Sequence, residues 1–182
     1  GVRLGRDIQL KELREQYDAV FLALGAHRSL NLGIPGEDAK GVIDALTFLK
    51  AVRLNQPLSL GKRVAVIGGG NSGIDAARVA LRQGAEDVSI LYRRKKYDMP
   101  AQRQEIEEAT KEGIAIHELT APVRVLIDDK NRVKGLECVR MQMGEFDSSG
   151  RRRPRPISDS NFIVDVDTVI VAIGMACDVE GM

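Results

Sequence analysis

Arg63-Val64-Ala65-Val66-Ile67-Gly68-Gly69-Gly70-Asn71-Ser72-Gly73-Ile74-Asp75-Ala76-Ala77-Arg78 is the stretch whose reading decides the fold. The apolar run around Val64, Val66 and Ile67 reads as a buried parallel strand, and the residues from Ile74 onward as a helix ending near Gln83. Between them Gly68, Gly70 and Gly73 supply G-x-G-x-x-G. In such a turn the first glycine permits a tight bend, the second lets backbone approach a pyrophosphate, and the third lets helix and strand pack closely. The free N–H groups of the helix start, with Asn71 and Ser72, then face phosphate, where the helix dipole favours negative charge. Gly68, Gly69, Gly70, Asn71, Ser72 and Gly73 are therefore candidate dinucleotide-binding residues. A glycine-rich turn without a ligand is the competing reading, and the strand–turn–helix–strand context argues against it.

The second strand is Asp87-Val88-Ser89-Ile90-Leu91-Tyr92, after a helix cap at Gly84. A site that selects NAD carries Asp or Glu at the end of this strand, to accept from the ribose 2′-OH. Here Arg93, Arg94, Lys95 and Lys96 follow instead, while Glu86 and Asp87 lie at the opposite end. A carboxylate would repel a 2′-phosphate, whereas guanidinium forks hold one by charge-assisted hydrogen bonds. The expected cofactor is NADPH, with a solvated basic loop as the alternative.

The 182 residues are 43% hydrophobic and 29% charged with a net charge of +1, which bounds the chain to one globular domain, or one and a half. That balance implies neither nucleic acid nor membrane. No apolar run approaches the roughly 20 residues needed to span a bilayer, and no signal-peptide pattern precedes the first strand. Cys138 and Cys177 lack C-x-x-C or metal-ligand spacing and read as reduced thiols of a cytoplasmic protein. No metal site is expected.

Gly1 to Arg6 begins without an initiating Met and reads as the start of an excised piece. Asp7 is placed to cap a short segment from Leu10 to Glu15, and Tyr17 to Ala26 reads as a buried strand ending at Gly25. Ile34-Pro35-Gly36-Glu37 is a turn, and Asp44 to Leu54 has helical spacing that ends before Pro57. These elements precede the glycine motif and are assigned to a separate region, 1–60. Downstream, Ala101 to Glu112 is an amphipathic helix with Ile106 and Ala109 inward, stopped by Gly113, and Ile114 to His117 is the third strand. Val123–Ile127, Arg132–Met143 and Asn161–Val166 are spaced as an antiparallel meander covering one face of the parallel sheet. Asp147 to Pro156, with four arginines, reads as a mobile surface loop, with docking of an acidic partner as its other reading. Thr168 to Gly174 is a last buried strand. The expected class is α/β, a Rossmann-like parallel sheet with an antiparallel β-meander. The nucleotide domain is placed at 61–166 and a return strand at 167–182.

Val20-Phe21-Leu22-Ala23-Leu24-Gly25 and Val169-Ile170-Val171-Ala172-Ile173-Gly174 have nearly the same form, with Asp18 and Asp167 shortly before, and they bracket the nucleotide unit. With Ile34-Pro35-Gly36-Glu37-Asp38, the glycine turn, Asp75-Ala76-Ala77-Arg78, Tyr92-Arg93-Arg94, Met99-Pro100-Ala101, Glu105-Ile106 and Glu112-Gly113, they resemble a known group over nearly the whole chain. That group is the two-dinucleotide-binding-domain flavoproteins of the pyridine nucleotide-disulfide oxidoreductase superfamily, in particular those like the small (beta) subunit of NADPH-dependent glutamate synthase.

The resemblance implies an FAD domain split by an inserted NADPH domain, with hydride passing from nicotinamide to flavin. It implies that Gly68, Gly70, Asn71, Ser72 and Gly73 hold the pyrophosphate and that Arg93 and Arg94 hold the 2′-phosphate. Lys96 stands where a further basic residue is common, and Ala172, Ile173 and Gly174 pass near the dinucleotide. The FAD-binding glycines, the later flavin-contacting segment and the iron–sulfur cysteines of that family have no counterpart in the sequence. The chain therefore reads as an NADPH domain with partial strips of a split FAD domain, inactive alone, in a parent that passes electrons to a partner subunit or iron–sulfur acceptor. No catalytic acid or base is assigned, since hydride transfer is cofactor chemistry. A non-catalytic NADP(H)-sensing module and a basic docking scaffold are the alternatives.

Overall fold

A computed structural model of the chain describes residues 1–56, 58–146, 150–177 and 179. Along the sequence the elements are α1 (Leu10–Gln16), β1 (Arg28–Ser29), β2 (Val42–Asp44), α2 (Ala45–Arg53), β3 (Arg63–Ile67), α3 (Asn71–Arg82) and β4 (Asp87–Leu91). They continue as α4 (Arg103–Lys111), β5 (Ala115–His117), β6 (Thr120–Ile127), β7 (Val133–Phe146), β8 (Arg152–Val164), β9 (Thr168–Val171) and β10 (Met175–Ala176). The described residues divide into two compact units, Leu30–Gly174 and a smaller one of Gly1–Ser29 with the segment that begins at Met175.

The larger unit has three layers. Its centre is a five-stranded parallel sheet of order β2-β9-β3-β4-β5, and a three-stranded antiparallel sheet β6-β7-β8 accompanies it. Side chains alternate across a strand, so β3 contributes to two cores. Val64 and Val66 pack with Phe48 of α2, Ile74 and Ala77 of α3 and Ile106 of α4. Ala65 and Ile67 pack with Val125, Leu136 and Cys138 of the meander. Burial on both faces is why β3 and β9 read as unbroken apolar runs, and both expected strands are present, as is the meander over one sheet face.

Several expectations are corrected. Val42-Ile43-Asp44 is a strand paired in parallel with Val169-Ile170-Val171, and Phe48 of α2 is fully buried in the helix-side core. Residues 30–60 thus share the sheet and core with those after the glycine motif, and a boundary at residue 60 would cut through both. Asp44 both ends β2 and caps α2, its carboxylate accepting from Thr47 N at 3.0 Å. The stretch Arg152–Pro156 is not a loop: it pairs with β7, Pro154 opposite Met143 and Pro156 opposite Met141. An edge strand tolerates proline because its outer N–H groups have no ladder partner to lose. Positions 57, 147–149, 178 and 180–182, including part of the expected loop and of the return segment, lie outside the described residues.

In the smaller unit, Tyr17–Ala26 contains no strand and is mostly exposed, with Phe21 93% accessible. The apolar pattern is that of a strand, yet no described segment runs alongside to take its backbone hydrogen bonds. The repeat therefore holds in sequence and not in structure. Asp7 does not cap α1; its carboxylate accepts from Arg3 N and the Arg6 guanidinium. The helix starts at Gln9, whose N–H donates to Glu12 Oε2 at 2.7 Å. Arg28 and Ser29 pair with Ala176 and Met175.

Candidate dinucleotide-binding site

β3 lies between β9 and β4, so the loops leaving the three strands start side by side. Gly68 N donates to Leu91 O at 3.1 Å and Ala172 N to Ile67 O at 2.8 Å. From β3 the chain steps one way across the sheet to β4 and β5, while β9 and β2 lie on the other side. In open α/β sheets the crevice at such a point, beyond the carboxyl ends of the strands, is where ligands bind.

The glycines at this crevice have distinct reasons to lack a side chain. Gly68 has φ +130°, and a Cβ on it would lie 2.2 Å from Ala172 O. A Cβ on Gly69 would come within 2.8 Å of the Tyr92 ring and 2.9 Å of Met99 Cγ. On Gly73 it would meet Gly68 O at 2.7 Å, so this glycine sets the closeness of α3 to the turn. Gly70 is different: it has φ −85° and nothing within 4 Å of its Cβ position. Its bareness serves no internal packing, and the open volume lies at the N-cap of α3, where the first N–H groups have no intrahelical partners. That combination fits an anionic phosphate group.

The segment after β4 braces the turn from outside. Tyr92 OH donates to Asp98 O at 2.9 Å, Ala101 N to Gly69 O at 3.2 Å, and Gln102 N to Asn71 Oδ1 at 3.1 Å. Asn71 Oδ1 thus fixes the α4 approach rather than an incoming anion. Tyr92, Met99, Ala101 and Gln102 had no assigned role in the sequence reading; an aromatic directly after a buried strand, facing a glycine turn, was the available signal.

The basic run leaves β4 at the same carboxyl end. Arg93 is exposed. Arg94 is half-buried, with Nε donating to Arg152 O at 3.2 Å. Lys96 Nζ donates to Thr110 Oγ1 of α4 at 3.1 Å, and the Lys95 ammonium lies 5.8 Å from the Tyr97 ring centroid. Arg93 and Arg94 are therefore at the crevice, while the Lys96 ammonium is taken up by α4. Ala172 and Ile173 border the turn from the β9 side, next to Gly68, while Gly174, with φ +131°, lies against Leu30, whose N–H donates to its carbonyl at 3.1 Å.

Behind the turn, Arg78 of α3 receives three carboxylates of the α4 region. Its Nη2 is 2.8 Å from Glu112 and 3.0 Å from Glu108, and Nη1 meets Glu105. The Arg78 guanidinium, then Arg82, holds the Glu112 carboxyl down at about 2. At the other end of β3, Arg63 grips Asp167 at 2.6 Å and lowers its pKa. Glu86 pairs with Lys62 at this amino end, remote from the crevice as expected. No group of three or more metal-ligating side chains occurs among the described residues, and none of their helices is long and apolar enough to cross a membrane.

The sequence profile of the pyridine nucleotide-disulphide oxidoreductases matches residues 3–182. The chain belongs to this family. Among family relatives it is 50% identical over 184 residues to the NADPH-Fe(3+) oxidoreductase subunit beta of Geobacter sulfurreducens, covering 98% of this chain and 27% of that protein. It is 45% identical to the NADP(+)-dependent formate dehydrogenase subunit beta of Moorella thermoacetica, with 98% and 26% covered. The glutamate synthase [NADPH] small chain of Escherichia coli is 40% identical, with 94% and 39% covered. This oxidoreductase chain thus spans between about a quarter and two-fifths of these relatives. In fold it resembles FprA of Mycobacterium tuberculosis, solved in complex with NADPH, at TM-score 0.81 and 23% identity over 96% of this chain and 53% of that one.

Proposed function

We propose that this oxidoreductase chain is the NADPH-binding domain of a longer flavoprotein, which passes electrons on to a partner subunit or iron–sulfur chain. The observation that carries the reading is Gly70: a bare, open position at the N-terminus of α3, beside an arginine-bearing loop at the carboxyl end of β4. When bound, NADPH supplies a hydride, and FAD in the rest of the protein accepts it. The chain's own contribution is placement. Gly68 to Gly73 hold the pyrophosphate, with the α3 N–H groups as donors. Arg93 and Arg94 hold the 2′-phosphate, Lys96 adds positive charge from the loop after β4 while its ammonium donates to Thr110 of α4, and Ala172, Ile173 and Gly174 line the path of the dinucleotide.

The nucleotide domain in this reading is Leu30–Gly174, and the smaller unit leads to the FAD domain, which would cover the exposed Tyr17 and Phe21. That the three relatives are NADPH- or NADP(+)-dependent subunits or chains of larger enzymes supports NADPH and a multi-subunit setting. The two free thiols, Cys138 and Cys177, suit the cytoplasm. Calorimetric titration of the full-length protein with NADPH and NADH at one salt concentration tests the reading. We expect NADPH to bind at least about tenfold tighter, or 1.4 kcal/mol, and Arg93→Ala with Arg94→Ala to erase that gap. Equal binding of both nucleotides by the unaltered protein would remove the basis for the 2′-phosphate assignment.

A further inference from the structure

The β6-β7-β8 sheet reaches beyond its role as a cover. β6 pairs with β7 only as far as Arg140, and from Met141 onward β7 and β8 continue as a two-stranded arm. This arm touches the basic loop at its root. Leu119, held at φ +50°, donates its N–H to Arg94 O at 3.1 Å and accepts from Met141 N at 2.7 Å. Thr120 N donates to Tyr92 O at 3.0 Å. The Arg94 side chain in turn donates through Nε to Arg152 O at 3.2 Å. Arg152 itself is tied across the arm, its Nε donating to Gly144 O and its Nη2 to Met143 O, both at 3.0 Å.

We infer that Arg152 is a specificity-determining positioning residue for the dinucleotide site: by closing the arm, it presents its carbonyl to Arg94 and sets the plane of that guanidinium for the 2′-phosphate. The inference rests on the function proposed above. A guanidinium carries five N–H donors in a rigid fork, so an anchor at Nε is compatible with donation to a phosphate while removing rotamer freedom that binding would otherwise have to freeze. Lysine at position 94 keeps the charge and loses both the anchor and the fork. Among the described residues the Arg152 side chain donates to arm backbone, at Gly144 O and Met143 O, so its influence on a nucleotide passes through Arg94.

The test is steady-state reduction of an artificial acceptor by the full-length enzyme with NADPH and with NADH, for Arg94→Ala, Arg94→Lys, Arg152→Ala and the Arg94→Ala/Arg152→Ala pair. The expected result is that Arg152→Ala raises KM for NADPH about tenfold, with the KM for NADH and kcat moving far less. The double variant should be no worse than Arg94→Ala alone, because the two act through one contact, and Arg94→Lys should lose selectivity despite its charge. A thermal melt of Arg152→Ala that matches the unaltered enzyme keeps a folding defect apart. If Arg94→Ala leaves the NADPH-to-NADH preference intact, the 2′-phosphate reading itself falls. If Arg94→Ala abolishes the preference while Arg152→Ala leaves it untouched, or the two effects add, only the positioning role is overturned.

Discussion

Arg78 on α3 and Glu112 at the end of α4 face each other as a fork, with Arg78 Nη2 2.8 Å and Nε 3.1 Å from Glu112 Oε1. Arg82 adds a second donor to the same carboxylate at 2.8 Å. Removing Arg78 leaves Glu105, Glu108 and Glu112 close together with one cation fewer, so Arg78→Ala should lower Tm by a few degrees. The Glu112 carboxyl sits at about 2 in the folded chain against 4.5 ordinarily. Its folded pKa is depressed, so its stabilisation is complete above pH 4.5 and disappears as pH falls towards 2. Urea unfolding from pH 6 to pH 2.5 should show Glu112→Gln losing less stability over that window than the unaltered chain; parallel curves would contradict the coupling.

Gly68 and Gly70 make opposite predictions for the same substitution. Gly68→Ala puts a Cβ 2.2 Å from Ala172 O at a left-handed φ, and should destabilise the chain by about 3 kcal/mol. Gly70→Ala meets nothing in the protein and should change stability by less than about 0.5 kcal/mol. It should nonetheless weaken NADPH binding by at least about tenfold. Thermal melts paired with nucleotide titration separate the two, and unaltered NADPH affinity in Gly70→Ala would argue that this space is not where phosphate sits.

Phe48 reports on whether α2 belongs to the nucleotide unit. Its side chain is fully buried among Val64, Val66, Ile74 and Ile170, so Phe48→Ala should cost about 3–5 kcal/mol. A peripheral helix would tolerate the change, and a loss below about 1 kcal/mol would place α2 outside the core.

Cys138 on β7 is buried, and burial pushes its thiol up to about 12. The thiolate is the reactive form, so Cys138 should resist alkylation at pH 8 in the folded protein and label only when denaturant opens the meander. Peptide mapping by mass spectrometry gives the answer directly. Rapid labelling without denaturant would mean that the meander does not seal this face of the sheet.

What could be read from the residues follows from how locally each feature is determined. The glycine turn, β3, β4 and α3 are specified by neighbours in sequence, and they stand where the reading placed them. Ile106 and Ala109 on α4 were legible for the same reason, since helical period alone selects the inward face. β2 escaped because three residues, Val42-Ile43-Asp44, carry no period of their own and become a strand only through Val169-Ile170-Val171. Tyr17–Ala26 erred in the other direction: a continuous apolar run states a capacity for pairing, and pairing requires a neighbour. In Arg152–Pro156 charge and proline masked an edge strand whose register is imposed by β7. At the site, Arg93 and Arg94 were visible as charge at a strand end, whereas the contacts of Lys96 with Thr110 and of Arg94 with Arg152 depend on side chains and carbonyls far away in sequence.

The position of β9 has a consequence for how the chain is made. β9 separates β2 from β3, pairing with both, yet it is synthesised about 100 residues after β3. On a ribosome, β3, β4, α3 and α4 emerge early, and β3 waits with one unsatisfied edge while the whole meander is translated. The sheet cannot close until residues 168–171 have left the exit tunnel. That is a long-range closure of the kind that slows folding and leaves an apolar edge open to other chains. Domain maturation is therefore post-meander, and nascent chains halted before residue 168 are the species a chaperone would be expected to hold.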